Sequence, residues 1–268
     1  MTRELPPLED ELALIGAIAH EAGVMAMRYF GGRDLDVRLK DGESPVTRAD
    51  FAVDAFLRET LLGARPGYGW LSEETPDTDI AGRMGAPRTF IADPIDGTRA
   101  FIEAHEIWCV SVALVESGRP VAGVLECPAL GETIKAVRGG GAECNGAPIA
   151  VRPPRDPALI GGPRGLVDRL ATQTGLAVKR HTHVPSLAYR LAMVARGDMD
   201  ASFVKPSSAD WDVAAADLIV HEAGGLLTDA DGAPLALNGR DPQKDVMVAC
   251  HPLLHRTMLG VVAGQAVG

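Results

Sequence analysis

The sequence IADPIDGTRAF (residues 91–101) places two aspartates, Asp93 and Asp96, at the end of a short apolar stretch and directly before a Gly-Thr pair. Asp-Pro and Asp-Gly both favour turns, so a turn alone explains either aspartate taken singly. A turn does not explain why two carboxylates stand three positions apart beside a strand that reads as buried. The alternative explanation is a cation bound between them.

Further acidic side chains stand at the ends of other apolar segments: Glu73 and Glu74 after YGWL (68–71), Asp50 after Thr47 in SPVTRAD (44–50), and Asp212 in WDVAAADLIVHEAGG (211–225). Each has an ordinary structural explanation. Glu74 is expected in a solvated loop, Asp50 can complete a capping box with Thr47, and Asp212 can stabilise a helix start.

These acids are harder to explain as a set. If they converge, two ionised carboxylates about 4 Å apart repel by roughly 4 kcal/mol at an effective dielectric near 20, so the cluster requires cations. Oxygen ligands without histidine or cysteine nearby in the sequence favour a hard ion such as Mg²⁺, which commonly shares its coordination with phosphate. The pattern therefore predicts a Mg²⁺ site that handles a phosphate group.

The Gly97-Thr98 pair fits the same chemistry. Glycine lets a backbone approach a ligand closely, and a helix beginning here would direct free N–H groups at an anion. Thr98 is suited to hydrogen-bond an attacking water.

Periodicity predicts an α+β half followed by an α/β half. Helices are expected over 8–30 and after Thr47, followed by a strand meander with turns at Ser117-Gly118 and Asn145-Gly146. RPPRDP (152–157) interrupts any regular element, so we expect subdomains at 1–152 and 153–268. Strands and helices alternate after it, with Ser186 predicted to cap a helix that ends at Gly197.

Composition excludes several classes of function. The 268 residues carry a net charge of −10 and 4% aromatic residues, which argues against binding to a nucleic acid polymer or an anionic membrane. No apolar run approaches the roughly 20 residues of a membrane span, and no secretory signal is expected, so we predict a cytoplasmic protein. The four separated cysteines are expected to be free thiols.

Four segments together resemble the motifs of the inositol monophosphatase superfamily: SPVTRAD, LSEE, DPIDGTRAF and WDVAAADLIVHEAGG, in the family's order over residues 44–225. The resemblance implies a layered αβαβα sandwich of the inositol monophosphatase and fructose-1,6-bisphosphatase type. It also implies a Mg²⁺-dependent, lithium-sensitive phosphomonoesterase that acts on a small phosphorylated metabolite and forms a homodimer.

The resemblance also implies roles for individual residues. Glu73, Asp93, the carbonyl of Ile95, Asp96 and Asp212 resemble the ligands of two or three Mg²⁺ ions. Glu73, Thr98 and Asp50 resemble the catalytic residues that activate the attacking water, and Gly97 and Thr98 resemble the phosphate-binding backbone.

The substrate is less strongly indicated. SPVTRAD and LSEE look closer to the 3′(2′),5′-bisphosphate nucleotidases, because inositol monophosphatases more often carry Gly-Glu-Glu where this chain has residues 72–74. The helix motif suits an inositol monophosphatase equally well, and histidinol phosphatases share much of the pattern. We expect the nucleotidase activity, with Ser186, Tyr189, Arg190 and Lys205 as substrate-side residues.

Two rival interpretations are less favoured. A haloacid-dehalogenase phosphatase uses a D-x-D pattern, whereas Asp93 and Asp96 are separated by two residues. A non-catalytic phosphate or metal sensor on this fold would be expected to lack one of the matched acids, and all are present.

Overall fold

The computed structural model of the chain describes residues 5–32, 35–40 and 44–264, so the two expected subdomains are described except at their outer ends and at two short gaps. The first elements are helix α1 (Leu8–Met27), a hairpin of strands β1 (Arg38–Lys40) and β2 (Ser44–Val46), and helix α2 (Arg48–Ala64). Thr47 caps α2, with Asp50 completing the capping box, which confirms that prediction.

Helix α1 ends three residues earlier than the sequence pattern predicts. Residues 28–31 form a turn, in which the N–H of Tyr29 donates to the carbonyl of Ala26. The ring of Phe30 then packs against Phe101 and Trp108, with centroid distances of 5.6 Å to each. This aromatic contact places the segment after α1 against the loop that carries the Gly-Thr pair.

A seven-stranded sheet follows, and it is antiparallel apart from the pairing of its first two strands. Its strands, in spatial as well as chain order, are β3 (Gly69–Ser72), β4 (Thr89–Asp96), β5 (Cys109–Glu116), β6 (Arg119–Cys127), β7 (Glu132–Val137), β8 (Gly141–Cys144) and β9 (Ala147–Ile149). Short helices α3 (Ile80–Gly85) and α4 (Thr98–Ile102) flank β4. The predicted meander is confirmed.

Both predicted hairpin turns are present. Ser117 and Gly118 join β5 to β6, and Asn145 and Gly146 join β8 to β9. All four have positive φ, between 50° and 80°, which the two-residue turns matching the twist of paired strands require.

The second half builds a five-stranded mixed sheet in the order β11-β10-β12-β16-β14. Its elements are β10 (Ala158–Gly161), α5 (Arg164–Thr174), β11 (Val178–Arg180), α6 (Leu187–Ala195), β12 (Ala201–Val204), α7 (Asp210–Glu222), β14 (Leu226–Asp229), β16 (Met247–Cys250) and α8 (Pro252–Val262), with a small ribbon of β13 (Ser208–Ala209) and β15 (Gln243–Lys244). Strands β1, β2, β8, β11, β13 and β15 were not predicted, because segments of two to four residues rarely show a periodic pattern.

The layers follow from side-chain alternation along the strands. In β4, Phe90 and Ala92 pack with helices α1 and α2, whereas Ile91 packs with α6 and α7. In β16, Met247 faces α6 and α7, whereas Val248 faces α5 and α8. The order of layers is therefore α1/α2, first sheet, α6/α7, second sheet, α5/α8, which is the predicted αβαβα sandwich.

Two further expectations concern the whole chain. The four cysteines are free thiols, and three of them are buried. None of the helices in the described ranges combines the length and hydropathy that crossing a bilayer requires.

Candidate active site

The site is built at the end of β4, where a β-bulge realigns the strand. Asp93 pairs with Ser111 and Asp96 with Cys109, so three steps along β4 oppose two steps along β5. Regular alternation would point Asp93 and Asp96 to opposite faces of the sheet. The extra residue turns both carboxylates toward the same side, while Ile95 joins the α1/α2 core.

Gly97 makes the turn from β4 into α4. Its φ of +100° lies in the region that side-chain-bearing residues rarely adopt. An added Cβ would lie 3.2 Å from the carbonyl oxygen of Ile107 and 3.3 Å from the Cβ atoms of Ser186 and Trp108. The glycine is therefore required both for its backbone angle and for the space around it.

Three carboxylates converge beside this turn. Oxygens of Asp93, Asp96 and Asp212 lie within 4.8 Å of one another, with Asp212 contributed by the first turn of α7. The backbone N–H of Ala209 donates to Asp212 Oδ2 at 2.6 Å. The second half of the chain thus supplies the third acid to a pair fixed by the first sheet.

The cluster is electrostatically strained without a cation. Burial raises the pKa of Asp212 to about 8, with a further contribution from the charge of Asp96. Burial also raises the pKa of Asp93 well above its usual range, and the charges of Glu73 and Asp96 add to that effect. A positive ion among these oxygens would restore the ionised forms.

Asp96 is the most firmly anchored of the three acids. Its carboxylate accepts hydrogen bonds from the hydroxyl of Ser186 at 2.5 Å and from the backbone N–H groups of Leu187 and Ala188 at 3.1 and 2.6 Å. Burial raises its pKa to about 6, and these donors oppose the rise. The start of α6 therefore orients a cluster carboxylate and keeps it partly ionised.

Asp50 and Thr98 meet at the opposite side of the Gly-Thr turn. The hydroxyl of Thr98 lies 3.3 Å from Asp50 Oδ1 and 3.1 Å from the carbonyl oxygen of Ile95. The N–H and hydroxyl of Thr47 donate to the other carboxylate oxygen of Asp50 at 2.8 and 2.6 Å. Burial raises the pKa of Asp50, with Thr47 opposing. The capping box thus leaves one Asp50 oxygen directed at Thr98.

Glu73 lies at the end of β3 and contacts a lysine that the sequence reasoning missed. Lys40 Nζ lies 3.1 Å from Glu73 Oε1 and 2.5 Å from Glu74 Oε1. The expectation that Glu74 is solvated is wrong, because its side chain is only 3% exposed, and burial raises its pKa to about 7 despite the hydrogen bond from Lys40. Lys40 lies on β1, which was too short to recognise.

A cleft of about 930 Å³ opens over these groups. Its lining includes Glu73, the acids Asp93, Asp96 and Asp212, and the Gly97-Thr98 turn. The rest of the lining combines apolar residues with eight basic and polar ones, here called the basic wall: Lys40, Arg99, His183, Arg190, Lys205, Ser207, Ser208 and Gln243. One open cavity therefore joins an acidic floor to a basic wall, and the two meet where Lys40 contacts Glu73.

Comparison with known proteins decides the family. The sequence profile of the inositol monophosphatase family matches residues 9–265. The chain belongs to this family. Members of the inositol monophosphatase family hydrolyse phosphate monoesters, and the chain is accordingly a phosphatase.

Relatives with different substrate names are about equally similar to the chain. It is 35% identical to a histidinol-phosphatase of Mycobacterium tuberculosis over 93% of this chain and 96% of that protein. It is 37% identical to an inositol-1-monophosphatase of Rhizobium meliloti over 79% and 82% of the two chains. The family is therefore established, and the substrate is not distinguished by similarity.

Solved structures of inositol monophosphatase family members have the same fold. The extragenic suppressor protein suhB of Bartonella henselae superimposes with a TM-score of 0.82, at 28% identity and with 94% and 98% of the two chains covered. An IMPase of Thermotoga maritima gives the same TM-score at 26% identity, with 95% and 97% covered. These scores agree with the sandwich described above.

The structure brings most of the predicted site residues together. Glu73, Asp93, Ile95, Asp96, Gly97, Thr98 and Asp212 all line the cleft, and Asp50 contacts Thr98. Glu73 lies outside the group of three acids whose oxygens meet within 4.8 Å.

The four predicted substrate-side residues are divided. Arg190 and Lys205 line the cleft. Ser186 hydrogen-bonds Asp96 behind the lining, and the Tyr189 hydroxyl donates to Glu132 at 3.0 Å. Trp211 and Gln243 also line the cleft and were not predicted. The alternation of His181 and His183 in the sequence is typical of a strand and suggests no role at the site. Both instead follow β11 in a loop, and His183 lines the cleft.

Proposed function

We propose that this phosphatase is Mg²⁺-dependent and prefers a 3′(2′),5′-bisphosphate nucleotide, releasing the 3′-phosphate of 3′-phosphoadenosine 5′-phosphate. The observation that carries the substrate proposal is the basic wall of the cleft. Arg190, Lys205 and His183 line the cleft, and their positive or polar side chains suit a leaving group whose remaining phosphate is negatively charged.

The donor set suits Mg²⁺. The converging groups are carboxylates, with neither cysteine nor histidine in the cluster, and Ile95 also lines the cleft. Hard oxygen donors favour Mg²⁺ over softer ions. Asp93, Asp96, Asp212, Glu73 and the Ile95 carbonyl would hold two or three ions. When bound, these ions supply the positive charge that activates water and stabilises the departing oxygen.

The chain's own residues position the reactants. The hydroxyl of Thr98 donates toward Asp50 or the Ile95 carbonyl, so its oxygen can accept a hydrogen bond from the attacking water and orient it. The first amides of α4, exposed by the left-handed Gly97, face the phosphate. Asp50 and Glu73 accept the proton that the water loses, directly or through Thr98. No residue is phosphorylated in this scheme.

Charge distinguishes the candidate leaving groups. The nucleotide retains a phosphate, inositol is neutral, and histidinol carries an ammonium group. Lys205 is exposed on the loop after β12, and its charge lowers the pKa of Asp212, so it lies close enough to act on the acidic cluster. An ammonium group beside Lys205 and Arg190 would be repelled, whereas a phosphate would be attracted.

Histidinol phosphate is the second candidate. The histidinol-phosphatase of Mycobacterium tuberculosis aligns with 93% of the chain, whereas a 3′(2′),5′-bisphosphate nucleotidase of Aggregatibacter actinomycetemcomitans aligns with 84% at 30% identity. The two candidates predict opposite dependence on the charge of the basic wall.

Phosphate release by the purified protein tests the proposal. Four substrates are compared in Mg²⁺, with and without lithium: 3′-phosphoadenosine 5′-phosphate, inositol 1-phosphate, histidinol phosphate and fructose 1,6-bisphosphate. We expect the highest kcat/KM for the nucleotide and inhibition by lithium. A higher kcat/KM for histidinol phosphate would overturn the substrate proposal, and release from none of the four would favour the sensor interpretation. Light scattering on the same sample tests the predicted homodimer.

A further inference from the structure

A second, smaller pocket adjoins the active-site cleft. It has a volume of about 260 Å³ and shares Gly162, Pro163, His183, Val184 and Arg190 with the cleft lining. Its remaining walls are Arg164, Arg180, His181 and Thr182. The shared residues make the pocket a side chamber of the cleft.

The side chamber is strongly basic. Three arginines and two histidines line it, and among the described residues no acidic side chain does. Arg164 forms an exposed ion pair with Asp168 at 3.3 Å, which screening by solvent makes weak. Arg180, exposed on the edge strand β11, has no ion pair within the described ranges of the chain.

Arg190 connects the two cavities and has unsatisfied hydrogen-bonding capacity. Its Nε is buried and has no hydrogen-bond partner among the described residues, and its Nη2 reaches the carbonyl oxygen of Phe203 only at 3.5 Å. A buried donor without a partner is unfavourable, and an anion beside the guanidinium would satisfy it.

The backbone adds a second, independent feature. The eleven-residue helix α5 begins at Arg164, and no side chain caps it because Pro163 occupies the N-cap position. Residues 162–164 line the chamber, so the first turn of the helix, with its free N–H groups and positive dipole end, borders it.

We propose that this side chamber is an anion subsite that binds the second phosphate of the substrate, the one that is not hydrolysed. The inference rests on the proposed function, because it assumes a substrate with two phosphates. Arg180 and Arg164 contact that phosphate from the open side, Arg190 contacts it from the shared wall, and the start of α5 lies beneath it. The subsite makes the enzyme selective for bisphosphates over monophosphates.

The test compares two nucleotides that differ in this phosphate alone. The kcat/KM for 3′-phosphoadenosine 5′-phosphate is divided by that for 3′-AMP, for the wild type and for R180Q, R164Q and the double variant. Both arginines are exposed, so these substitutions are expected to preserve folding. K179Q, which removes a positive charge from the neighbouring exposed residue outside the chamber, is the matched control.

We expect a wild-type ratio well above one, reduced about tenfold in R180Q, severalfold in R164Q and further in the double variant, since a charge-assisted contact contributes of that order. The ratio should be unchanged in K179Q. A ratio that is the same in all variants, or that falls equally in K179Q, overturns the subsite.

The outcome separates the two proposals. If the nucleotide is the preferred substrate but the ratio is near one or insensitive to R180Q, the subsite is wrong and the proposed function stands. If another ester is preferred, the proposed substrate is wrong, whereas a ratio above one that R180Q lowers still supports the anion subsite. Release from neither nucleotide overturns both.

Discussion

The cleft lining has two parts, which are held in different ways: the acidic end, formed by Asp93, Asp96 and Asp212, and the basic end, formed by the basic wall. At the acidic end, Asp93 and Asp96 are at most 6% exposed, and Asp96 accepts three hydrogen bonds from the start of α6. At the basic end, His183 and Lys205 are exposed, and they stand on separate loops, after β11 and after β12. The first arrangement is fixed by the sheet and two helices, whereas the second includes these two exposed loop residues.

This difference separates the residues proposed to carry out the reaction from the residues proposed to select the substrate. The acids and the Gly-Thr turn cannot change without disturbing buried hydrogen bonds, a bulge and a left-handed glycine. The exposed members of the basic wall, His183 and Lys205, can change one at a time without affecting the core. Relatives named for inositol phosphate, histidinol phosphate and bisphosphate nucleotide substrates, at 37%, 35% and 30% identity, fit that division.

The largest effect is expected at the acidic end. Asp93→Asn removes the carboxylate whose neighbours are Glu73, Asp96 and Asp212, and we expect kcat/KM to fall at least about 10³-fold because charge stabilisation of the phosphate is lost. The fold should persist, because the amide is isosteric and relieves repulsion. Phosphate release together with circular dichroism measures both outcomes.

The matched control for that variant is Asp231→Asn, an exposed aspartate in the turn after β14. We expect it to retain wild-type turnover. Normal activity in Asp93→Asn would remove the basis for the metal site, whereas inactivity accompanied by unfolding would show that Asp93 is structural.

The division between the acidic and the basic end also decided which parts of the site could be predicted from the sequence. Asp50, Asp93, Asp96 and Gly97 lie in two short motifs whose spacing is visible along the chain, so local patterns predicted the acidic end. Most of the strands and helices that surround these residues and are at least five residues long were also predicted. The bulge was not predicted, because DPID reads as a turn and the two-against-three pairing exists only opposite β5.

The basic end was predicted only in part. Arg190 and Lys205 were expected at the site and line the cleft, whereas Lys40 and His183 line it without having been predicted. These residues are far apart in the chain and line one cavity only when the two sheets are assembled. Tyr189 lies one residue from Arg190, yet the helix turns it toward Glu132 while Arg190 reaches the cleft. A single side chain on a loop or at the start of a helix belongs to no periodic sequence pattern. Its direction depends on tertiary packing.

An intermediate effect is expected from Ser186→Ala, which tests how the acidic end is anchored. Asp96 loses its hydroxyl donor but keeps two backbone donors, so we expect the Mg²⁺ concentration for half-maximal activity to rise about tenfold. Loss of the α6 cap should also lower the melting temperature by a few degrees.

The Mg²⁺ titration also tests the earlier prediction that Ser186 contacts substrate. An unchanged Mg²⁺ dependence with a higher KM for the nucleotide would assign Ser186 to the substrate instead. Ser186→Thr keeps the hydroxyl and the cap, and we expect it to restore most of the Mg²⁺ affinity.

A smaller effect is expected from Lys205→Gln at the basic end. Removing this charge should lower kcat/KM for 3′-phosphoadenosine 5′-phosphate about fivefold relative to inositol 1-phosphate, because the neutral leaving group gains little from it. The two substrates are measured side by side, with Lys179→Gln as the control for net charge. An equal fall for both substrates would place Lys205 with the metal chemistry, and a rise for histidinol phosphate alone would favour the second candidate.

The smallest expected effect is on stability, and it tests whether the acidic end requires cations. Folding raises the pKa of Asp96 to about 6 and that of Asp212 to about 8, chiefly through burial, and it raises the pKa of Asp93 as well. Between the usual aspartate pKa near 4 and these values, the folded protein holds protons that the unfolded chain has released. The free energy of unfolding therefore falls as pH rises from about 4 to 8.

We expect the melting temperature to fall between pH 5 and pH 8 in both a chelating buffer and excess Mg²⁺, and the fall should be about 5 °C larger in the chelating buffer. The reason is that bound cations replace the protons that the acids lose. His221 beside Asp217 and Glu74 beside Lys40 also have raised pKa values, so both lower the stability of the fold as pH rises. They do so in both buffers, so the difference between buffers reports the three acids of the cluster. Asp93→Asn should reduce that difference, since one of the repelling charges is gone. Parallel melting curves in the two buffers would mean that the three acids are not neutralised by Mg²⁺, and the acidic end would then have to be explained as structural.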